Sequence, residues 1–368
     1  MYEKGAVIVM EQEINSQNKT DIKSMDLDEL TKELAELGQP KFRGKQVYSW
    51  LHEKMVSSID EMSNLPASLR EQLEEAYYIP KLSIIKKLVS KIDGTRKYLL
   101  RLEDNNCVEA VLMKYKYGNS ICISTQVGCR MGCKFCASTL AGLVRSLRPS
   151  EMLDEIYTVT QDSGQRVSNV VLMGIGEPLD NYDNVMKFLK ILSSPEGYNL
   201  SLRHLSLSTC GVVDKIYEMA QLKLGLTLSI SLHAPNDEIR SQTMPINHRY
   251  CIDELLEACR YYFAQTGRRI SFEYALIEKV NDEIWHADEL ARRLKGMSAH
   301  VNLIPVNPVK ERGFKRGSKQ RIEAFRQALE DRGINATIRR ELGADINAAC
   351  GQLRREYDEQ RSREEEKQ

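Results

Sequence analysis

The apolar positions fall into three regimes along the chain. Leu27, Leu30, Leu34 and Leu37 recur at three- and four-residue intervals, one face of an α-helix, and Gly38 stands where a left-handed C-cap would end it. A second helix is predicted around Phe42, Val47, Trp50 and Leu51, and a third around Leu69, Leu73 and Ala76. From Pro80 the period shortens to two. Segments 82–89 and 97–102 read as strands joined by a turn at Asp93-Gly94, followed by strands at 108–113 and 121–125 around Tyr117-Gly118-Asn119. Beyond residue 125 the periods alternate. Strands are predicted at 168–173, 202–208, 226–232, 269–277 and 300–305. Helices are predicted near 150–162, 182–193, 212–222, 252–265, 282–295 and 318–332, with a last strand near 337–340. Counting 121–125, these make six βα units, the pattern of a parallel sheet flanked by helices. Six units are too few for a closed eight-stranded barrel, so an α/β open partial (β/α)6 barrel is expected, with a doubly wound sheet as the competitor.

Domain limits follow. Residues 1–24, polar and without sustained periodicity, are expected to be disordered, and 25–80 form a small helical domain. Residues 81–114 form a β-hairpin extension, 115–348 the α/β core, and 349–368 a C-terminal segment with a polar tail.

Length, 368 residues, suffices for one large α/β domain plus a smaller one. No apolar run approaches the twenty or so residues needed to cross a bilayer, and Ala6–Met10 is too short for a signal peptide. Nine cysteines, an odd number, argue for a reducing cytoplasm rather than a disulfide scaffold. Net charge is zero, yet residues 1–80 carry 9 Lys+Arg against 15 Asp+Glu, leaving the remainder net positive. Basic residues gather at Lys310, Arg312, Lys315, Arg316, Lys319 and Arg321 and at Arg339-Arg340, a pattern that can line a phosphate backbone or simply form a solvated face.

In parallel α/β folds ligands collect beyond the carboxyl ends of strands, and unusual residues sit there repeatedly. Cys129, Cys133 and Cys136 follow the first strand at C-x3-C-x2-C spacing. Three thiolates from one loop can hold three corners of a 4Fe-4S cluster and leave one iron without a protein ligand. A structural zinc site is the alternative, but no fourth Cys or His stands nearby at regular spacing. Gly174-Ile175-Gly176-Glu177-Pro178 follows the second strand, Ser208 ends the third, Ser231-Leu232-His233 ends the fourth, and Asn307 lies past the sixth. Cys122 lies on the strand feeding the cysteine loop, and Cys350 could reach the same rim if the C-terminal segment folds back. Burial as small apolar side chains would also account for both.

The cysteine loop resembles the signature of radical S-adenosylmethionine (SAM) enzymes. Together with Cys122–Cys129, Gly174–Pro178, Leu207–Gly211, Ser231-Leu232-His233, Leu303–Pro308 and Asp345–Leu353, it resembles the dual-specificity methyltransferases that methylate carbon 2 of adenine in 23S rRNA and tRNA. The resemblance runs from Phe42–Gln46 to about Leu353, and it implies the fold, a partial barrel of the radical SAM type. It also implies one 4Fe-4S cluster on Cys129, Cys133 and Cys136. SAM, two molecules per turnover, would be bound by Gly176, Glu177, Ser208, Ser231, Leu232, His233 and Asn307. Carbon 2 is electron-poor and cannot attack SAM itself. The resemblance therefore implies methylation of Cys350 first, then a 5′-deoxyadenosyl radical that removes hydrogen from that methyl group, and a covalent RNA adduct. Glu109 matches the proton acceptor, with Cys122 able to share that step, and Cys122 releases product through a transient disulfide. A carboxylate in the apolar strand 108–113 would have a raised pKa if buried. A flavodoxin or ferredoxin electron donor and a monomeric protein complete the expectation. The sister branch, carbon-8 methyltransferases of the resistance type, and a non-enzymatic zinc-containing RNA-binding protein are the alternatives.

Overall fold

The computed structural model describes residues 19–306 and 313–346. Asn307, Lys310, Arg312 and Cys350 lie outside the described residues. Thr20–Asp21 (β1) pairs in parallel with Tyr77–Tyr78 (β2) and brackets helices Leu27–Glu36, Phe42–His52 and Ala67–Ala76. The first helix starts at a capping box. Asp26 accepts from the Asp28 and Glu29 amides, and Glu29 accepts from the Asp26 amide. Gly38, at φ 76°, follows its end.

Strands Ser83–Val89 (β3), Arg96–Arg101 (β4), Cys107–Tyr115 (β5) and Gly118–Cys122 (β6) form an antiparallel meander. A short hairpin, Gln126–Gly128 (β7) with Leu143–Ser146 (β8), brackets the cysteine loop. Then Asn169–Leu172 (β9), Leu205–Thr209 (β10), Thr227–Ser231 (β11), Ile270–Leu276 (β12), Ala299–Pro305 (β13) and Ala336–Ile338 (β14) alternate with helices. The main sheet runs β14-β13-β12-β11-β10-β9-β6-β5-β4-β3, parallel from β6 to β14. From β9 each new strand adds to the same edge, with no reversal of order. A doubly wound sheet needs such a reversal, so the fold is the open partial barrel. The helix at Asp237–Thr243 was not anticipated, because seven residues are too few to show a helical period.

Strand patterning gives the sheet two unlike faces. Val170, Leu172, Leu205, Leu207, Leu228, Ile230, Phe272, Tyr274, Val301 and Leu303 join the helices in one core. The alternate positions include Ser206, Ser208, Ser229, Ser231, Ser271, Glu273 and Asn302, so the other face is polar. A parallel sheet covered on both faces would be apolar throughout. This one reserves a face for chemistry.

Residues 19–24, expected within a disordered arm, are ordered. Ile22 is fully buried, and the Lys23 ammonium lies 2.5 Å from Asp154 on helix Pro149–Ser163 and donates to the Pro80 carbonyl at 2.7 Å. Asp21 accepts from Ser150 Oγ at 2.6 Å. Long-range pairing holds this polar stretch, and no local period records it. Nearby, His52 is fully buried, its Nδ1 3.1 Å from the Tyr157 hydroxyl, and burial, assisted by the Lys23 charge, drives its pKa down to about 3.

Lys23→Met leaves Asp154 buried without its cation and lowers stability by about 3–5 kcal/mol in denaturant melts, and Lys23→Met with Asp154→Leu recovers most of it. His52 titrates near 6.5 when unfolded and about 3 when folded. Between those values the unfolded chain takes up a proton the folded chain refuses. Its contribution is therefore complete above about pH 6.5 and shrinks as pH falls toward 3, by about 1.4 kcal/mol per pH unit. His52→Gln should lose about 2 kcal/mol less than wild type between pH 7 and pH 5.

Candidate active site

Beyond the carboxyl ends of the strands lies a cavity of about 280 Å³. Cys129, Cys133 and Cys136 line it together with Gly176, Glu177, Ser208, Ser231 and His233. Eight residues chosen from the sequence thus line one cavity. Leu232 does not join them: its side chain belongs to the core, its amide donates to Glu273 O and its carbonyl accepts from Arg240.

The cysteine loop is held by backbone contacts. The Cys129 amide donates to Gly142 O at 2.8 Å, and the Lys134 amide donates to Thr243 O at 2.8 Å. The Thr139 hydroxyl donates to the Cys133 and Cys136 carbonyls. Gly128, at φ 81°, has no alternative, since a Cβ there would lie 2.0 Å from Gly142 O. Cys133 packs with Cys210 and Met244, and Met131, Phe135 and Cys136 border that apolar group.

Glu177 is the keystone of the glycine loop. Its Oε1 accepts from the Leu179 amide at 3.0 Å and its Oε2 from the Cys210 amide at 2.7 Å. Burial raises its pKa, and those amides oppose the rise. Gln126 joins the two loops: Oε1 accepts the Glu177 amide at 2.9 Å, and Nε2 donates to Asp180, which also receives Arg130 of the cysteine loop. Gly174 and Gly176 press against β6 and β7, where a Cβ would lie 2.4 Å from Ile123 O and 2.6 Å from Gln126 Cβ.

His233 has φ 57°, in the left-handed region, and its ring meets Phe135 edge-on at 4.7 Å. Its Nδ1 accepts the Ala275 amide at 2.8 Å, and Asn281 Nδ2 donates to its carbonyl at 2.7 Å. Burial, aided by the Arg240 charge, pushes its pKa down to about 3, so the ring is neutral. With Nδ1 accepting, the single proton sits on Nε2, and the ring is a fixed donor.

Sequence reading missed several residues here. Glu273, Met173, Met244 and Arg339 also line the cavity. Glu273 takes hydrogen bonds from Asn302 Nδ2 at 2.7 Å and Ser271 Oγ at 3.2 Å. A carboxylate inside the apolar strand 269–277 was the available signal. Arg240 is fully buried, with its guanidinium on the carbonyls of Cys210 at 2.6 Å and Leu232 at 3.2 Å and on Asn247 Oδ1 at 2.9 Å. It gives no sequence signal.

Glu109 and Cys122 do not line this cavity. Val111 pairs with Cys122, so the alternation of β5 and β6 puts Glu109 and Cys122 on one sheet face, opposite the core residues Val108, Ala110 and Ile121. Glu109 is buried, yet not among apolar groups alone: the Lys97 ammonium lies 3.2 Å away, equally buried. That counter-charge leaves no local signal in the sequence, because Lys97 meets Glu109 only through the pairing of β4 with β5.

The donor set fits an iron–sulfur cluster. Among the described residues no three His, Cys, Asp or Glu side chains converge as ligands of one metal ion would. The three thiols instead share a cavity wall, which suits a polynuclear group with one thiolate per iron. Burial pushes the Cys129 thiol up to about 12 and raises that of Cys133 as well, so both would ionise as metal binds.

Glu177→Gln puts an NH2 group against a backbone amide. It should cost about 1–3 kcal/mol and speed exchange of the Leu179 and Cys210 amides about tenfold or more, read by hydrogen exchange.

Comparison with known proteins adds to this picture. Residues 123–291 match the radical SAM superfamily, and residues 20–79 match the ribosomal RNA large subunit methyltransferase N-terminal domain. A probable dual-specificity RNA methyltransferase RlmN of Lachnospira eligens is 56% identical over 92% of this chain and 97% of its own length. One from Alkaliphilus oremlandii is 57% identical over 92% and 98%. The crystal structure of a radical SAM methyltransferase from Sphaerobacter thermophilus superposes with a TM-score of 0.86 at 41% identity, covering 90% of this chain and 98% of that one.

Proposed function

This chain belongs to the dual-specificity RNA methyltransferase RlmN family within the radical SAM superfamily, and from that premise we propose which of its residues carry out the reaction. It is an RNA methyltransferase of the radical SAM type. The substrate atom is carbon 2 of an adenine in 23S rRNA and in tRNA. Neither the carbon-8 reading nor the zinc-protein reading finds support among the full-length relatives.

The observation that carries the residue assignment is the shared wall of Cys129, Cys133, Cys136, Gly176, Glu177, Ser208, Ser231 and His233. Cys129, Cys133 and Cys136 would hold the 4Fe-4S cluster, which when bound would supply the electron for reductive cleavage of SAM. The loop closed by Glu177 presents backbone groups to the SAM amino group, while Ser208, Ser231 and the His233 Nε2–H supply hydrogen bonds to its polar edges. Asn307, outside the described residues, completes that set. Apolar Met131, Phe135 and Met244 exclude water from the radical.

Cys350, also outside the described residues, is the methyl carrier. Its thiolate attacks the methyl carbon of a first SAM and displaces S-adenosylhomocysteine, and a second SAM is spent on the radical, two per turnover. Glu109 would accept the proton from ring carbon 2 once the adduct radical has given one electron back to the cluster, with Lys97 beside it to hold the carboxylate in place. The Cys122 thiolate then attacks the Cys350 sulfur, the bond from that sulfur to the bridging methylene carbon breaks, the methylene keeps the electron pair and takes up a proton to become the methyl group, and a Cys122–Cys350 disulfide remains. RNA is gripped by the helical unit at residues 25–80 and by the basic residues around 310–321. A flavodoxin or ferredoxin supplies electrons, and the protein works as a monomer in the cytoplasm. Among the described residues no helix is long and apolar enough to cross a membrane.

Anaerobic reconstitution with iron, sulfide, SAM and a reductant, followed by nucleoside analysis of added rRNA and tRNA, tests this reading. It should yield 2-methyladenosine, whereas 8-methyladenosine would move the enzyme to the sister branch. Cys350→Ala should give no methylated RNA. Cys122→Ala should leave RNA covalently attached to protein, and free methylated RNA at the normal rate would refute its role.

A further inference from the structure

Parallel strands deliver their amino ends to one rim just as they deliver their carboxyl ends to the other. Five neighbours in the sheet, β6, β9, β10, β11 and β12, are each entered past a basic residue. Lys116 precedes β6, Arg166 precedes β9, Arg203 precedes β10, Lys223 precedes β11 and Arg269 precedes β12, and all five are exposed. Neighbouring strands lie about 4.8 Å apart, so four steps spread these cations along roughly 19 Å of rim. The segments that enter the five strands, 116–117, 164–168, 194–204, 222–226 and 267–269, hold six Lys+Arg against one carboxylate, Glu196. Lys45 already takes that carboxylate at 3.0 Å. Among the described residues none of the five rim cations forms an ion pair.

Helix stability does not account for these charges. A cation favours a helix C-terminus only within the last turn. Helices Pro149–Ser163, Val213–Gln221 and Ile252–Thr266, which lead into β9, β11 and β12, carry no basic residue there. Arg166, Lys223 and Arg269 stand beyond those ends, in the connecting segments. Arg166 is fixed in place, its guanidinium bonded to the Tyr198 carbonyl and lying 4.4 Å from the centre of the Tyr198 ring.

An aromatic pair stands at the same rim. Tyr115 ends β5, Tyr117 lies in the turn before β6, and their rings stack at 5.0 Å with 10° between the planes. Tyr117 is 72% exposed, with Lys116 beside it. Exposed rings interleaved with cations suit unstacked bases and their phosphates. Burial raises the Tyr115 pKa, Tyr117 adds to the rise, and the Arg339 and Arg340 charges oppose it, so further cations face this pair. The rim also continues into the helical unit: Lys45 and Tyr48 of helix Phe42–His52 bond to Glu196 and to the Ile191 carbonyl, on the run-in to β10. By register Tyr115 shares a sheet face with Glu109 and Cys122. That face stays polar toward the cavity. Ser206 leads to Ser208, Ser229 to Ser231 and Ser271 to Glu273, and the second of each pair lines it.

We propose that the amino-end rim of the barrel is a docking face for RNA, where Lys116, Arg166, Arg203, Lys223 and Arg269 take phosphates and Tyr117 takes the face of an unpaired base. This deepens the RNA-methyltransferase reading and rests on it, but on none of the residue roles in the radical chemistry. The occupant is nucleic acid rather than an acidic protein, because a ring held parallel to its neighbour matches a flat base. SAM then takes one end of the strands and RNA approaches from the other, so the two do not compete for one mouth.

The test uses full-length reconstituted enzyme and in-vitro-transcribed tRNA, with affinity measured across a salt series. In the triple variant Arg203→Gln, Lys223→Gln, Arg269→Gln, affinity at about 0.15 M salt should fall about tenfold or more, and the slope of log affinity against log salt should flatten by about two. The KM for RNA should rise while kcat stays within about twofold of wild type, with SAM affinity and melting temperature unchanged. Tyr117→Ala should weaken binding about fivefold or more with the salt slope intact, and Tyr117→Phe should restore it. A control triple, Lys81→Gln, Lys86→Gln, Arg260→Gln, removes equal charge from exposed positions off the rim. It should weaken binding less than about threefold, since solvent and salt screen distant charges. Equal loss in the two triples overturns the inference, because bulk charge would then explain it. Wild-type affinity in both the rim triple and Tyr117→Ala overturns it too. If the wild type neither binds nor methylates the RNA, the RNA-methyltransferase reading falls and the docking face falls with it.

Discussion

A loop that lines a cavity has no neighbouring strand to satisfy its backbone, and an unpaired buried amide costs about as much as a whole domain can spare in a few places. That constraint organises the wall of this barrel. Glu177 takes the Leu179 and Cys210 amides, Gln126 takes the Glu177 amide, and Asn181 donates to the Thr125 and Leu147 carbonyls. Ser124 serves three directions, donating its hydroxyl to Glu109 O, accepting the Ile175 amide, and giving its own amide to the buried Glu155. Arg240 does the same for carbonyls behind the far rim. Side chains add to the few backbone contacts of both loops, Gln126 N to Ile175 O and Cys129 N to Gly142 O among them, so the glycine loop and the cysteine loop hold irregular shapes.

The same economy explains the glycines and the histidine. Gly174 and Gly176 leave no room for a side chain between the loop and β6 or β7, so the second loop rests directly on the first. His233 tolerates a left-handed backbone because its amide, carbonyl and ring nitrogen each have a partner. A residue held at three points points its remaining nitrogen one way only, which suits recognition of a ligand edge better than acid–base exchange.

Much of this was legible in the sequence, for identifiable reasons. Strands and helices from 149 to 330 follow regular alternation of long periodic segments, where local patterning and tertiary packing agree, and helix 182–193 was placed at its observed bounds. The rim argument placed Cys129, Cys133, Cys136, Gly176, Glu177, Ser208, Ser231 and His233 together because parallel strands deliver their ends to one side. What escaped was pairing at a distance. Lys97 beside Glu109, Lys23 beside Asp154, Arg240 among carbonyls and Asp345 beside Lys91 each join residues with no shared period. Leu232 illustrates the opposite error: a triplet read as one unit splits, since alternation sends its middle side chain into the core.

The Lys23–Asp154 contact bears on ancestry as well as on stability. A radical-generating barrel that exchanged its first eighty residues for an unrelated module covering the same helix would keep Asp154 beneath it without the Lys23 ammonium that now lies against it. Gene fusion at this boundary therefore needs a second, simultaneous change on helix Pro149–Ser163. Lineages carrying this aspartate should inherit the two units as one piece rather than shuffle them.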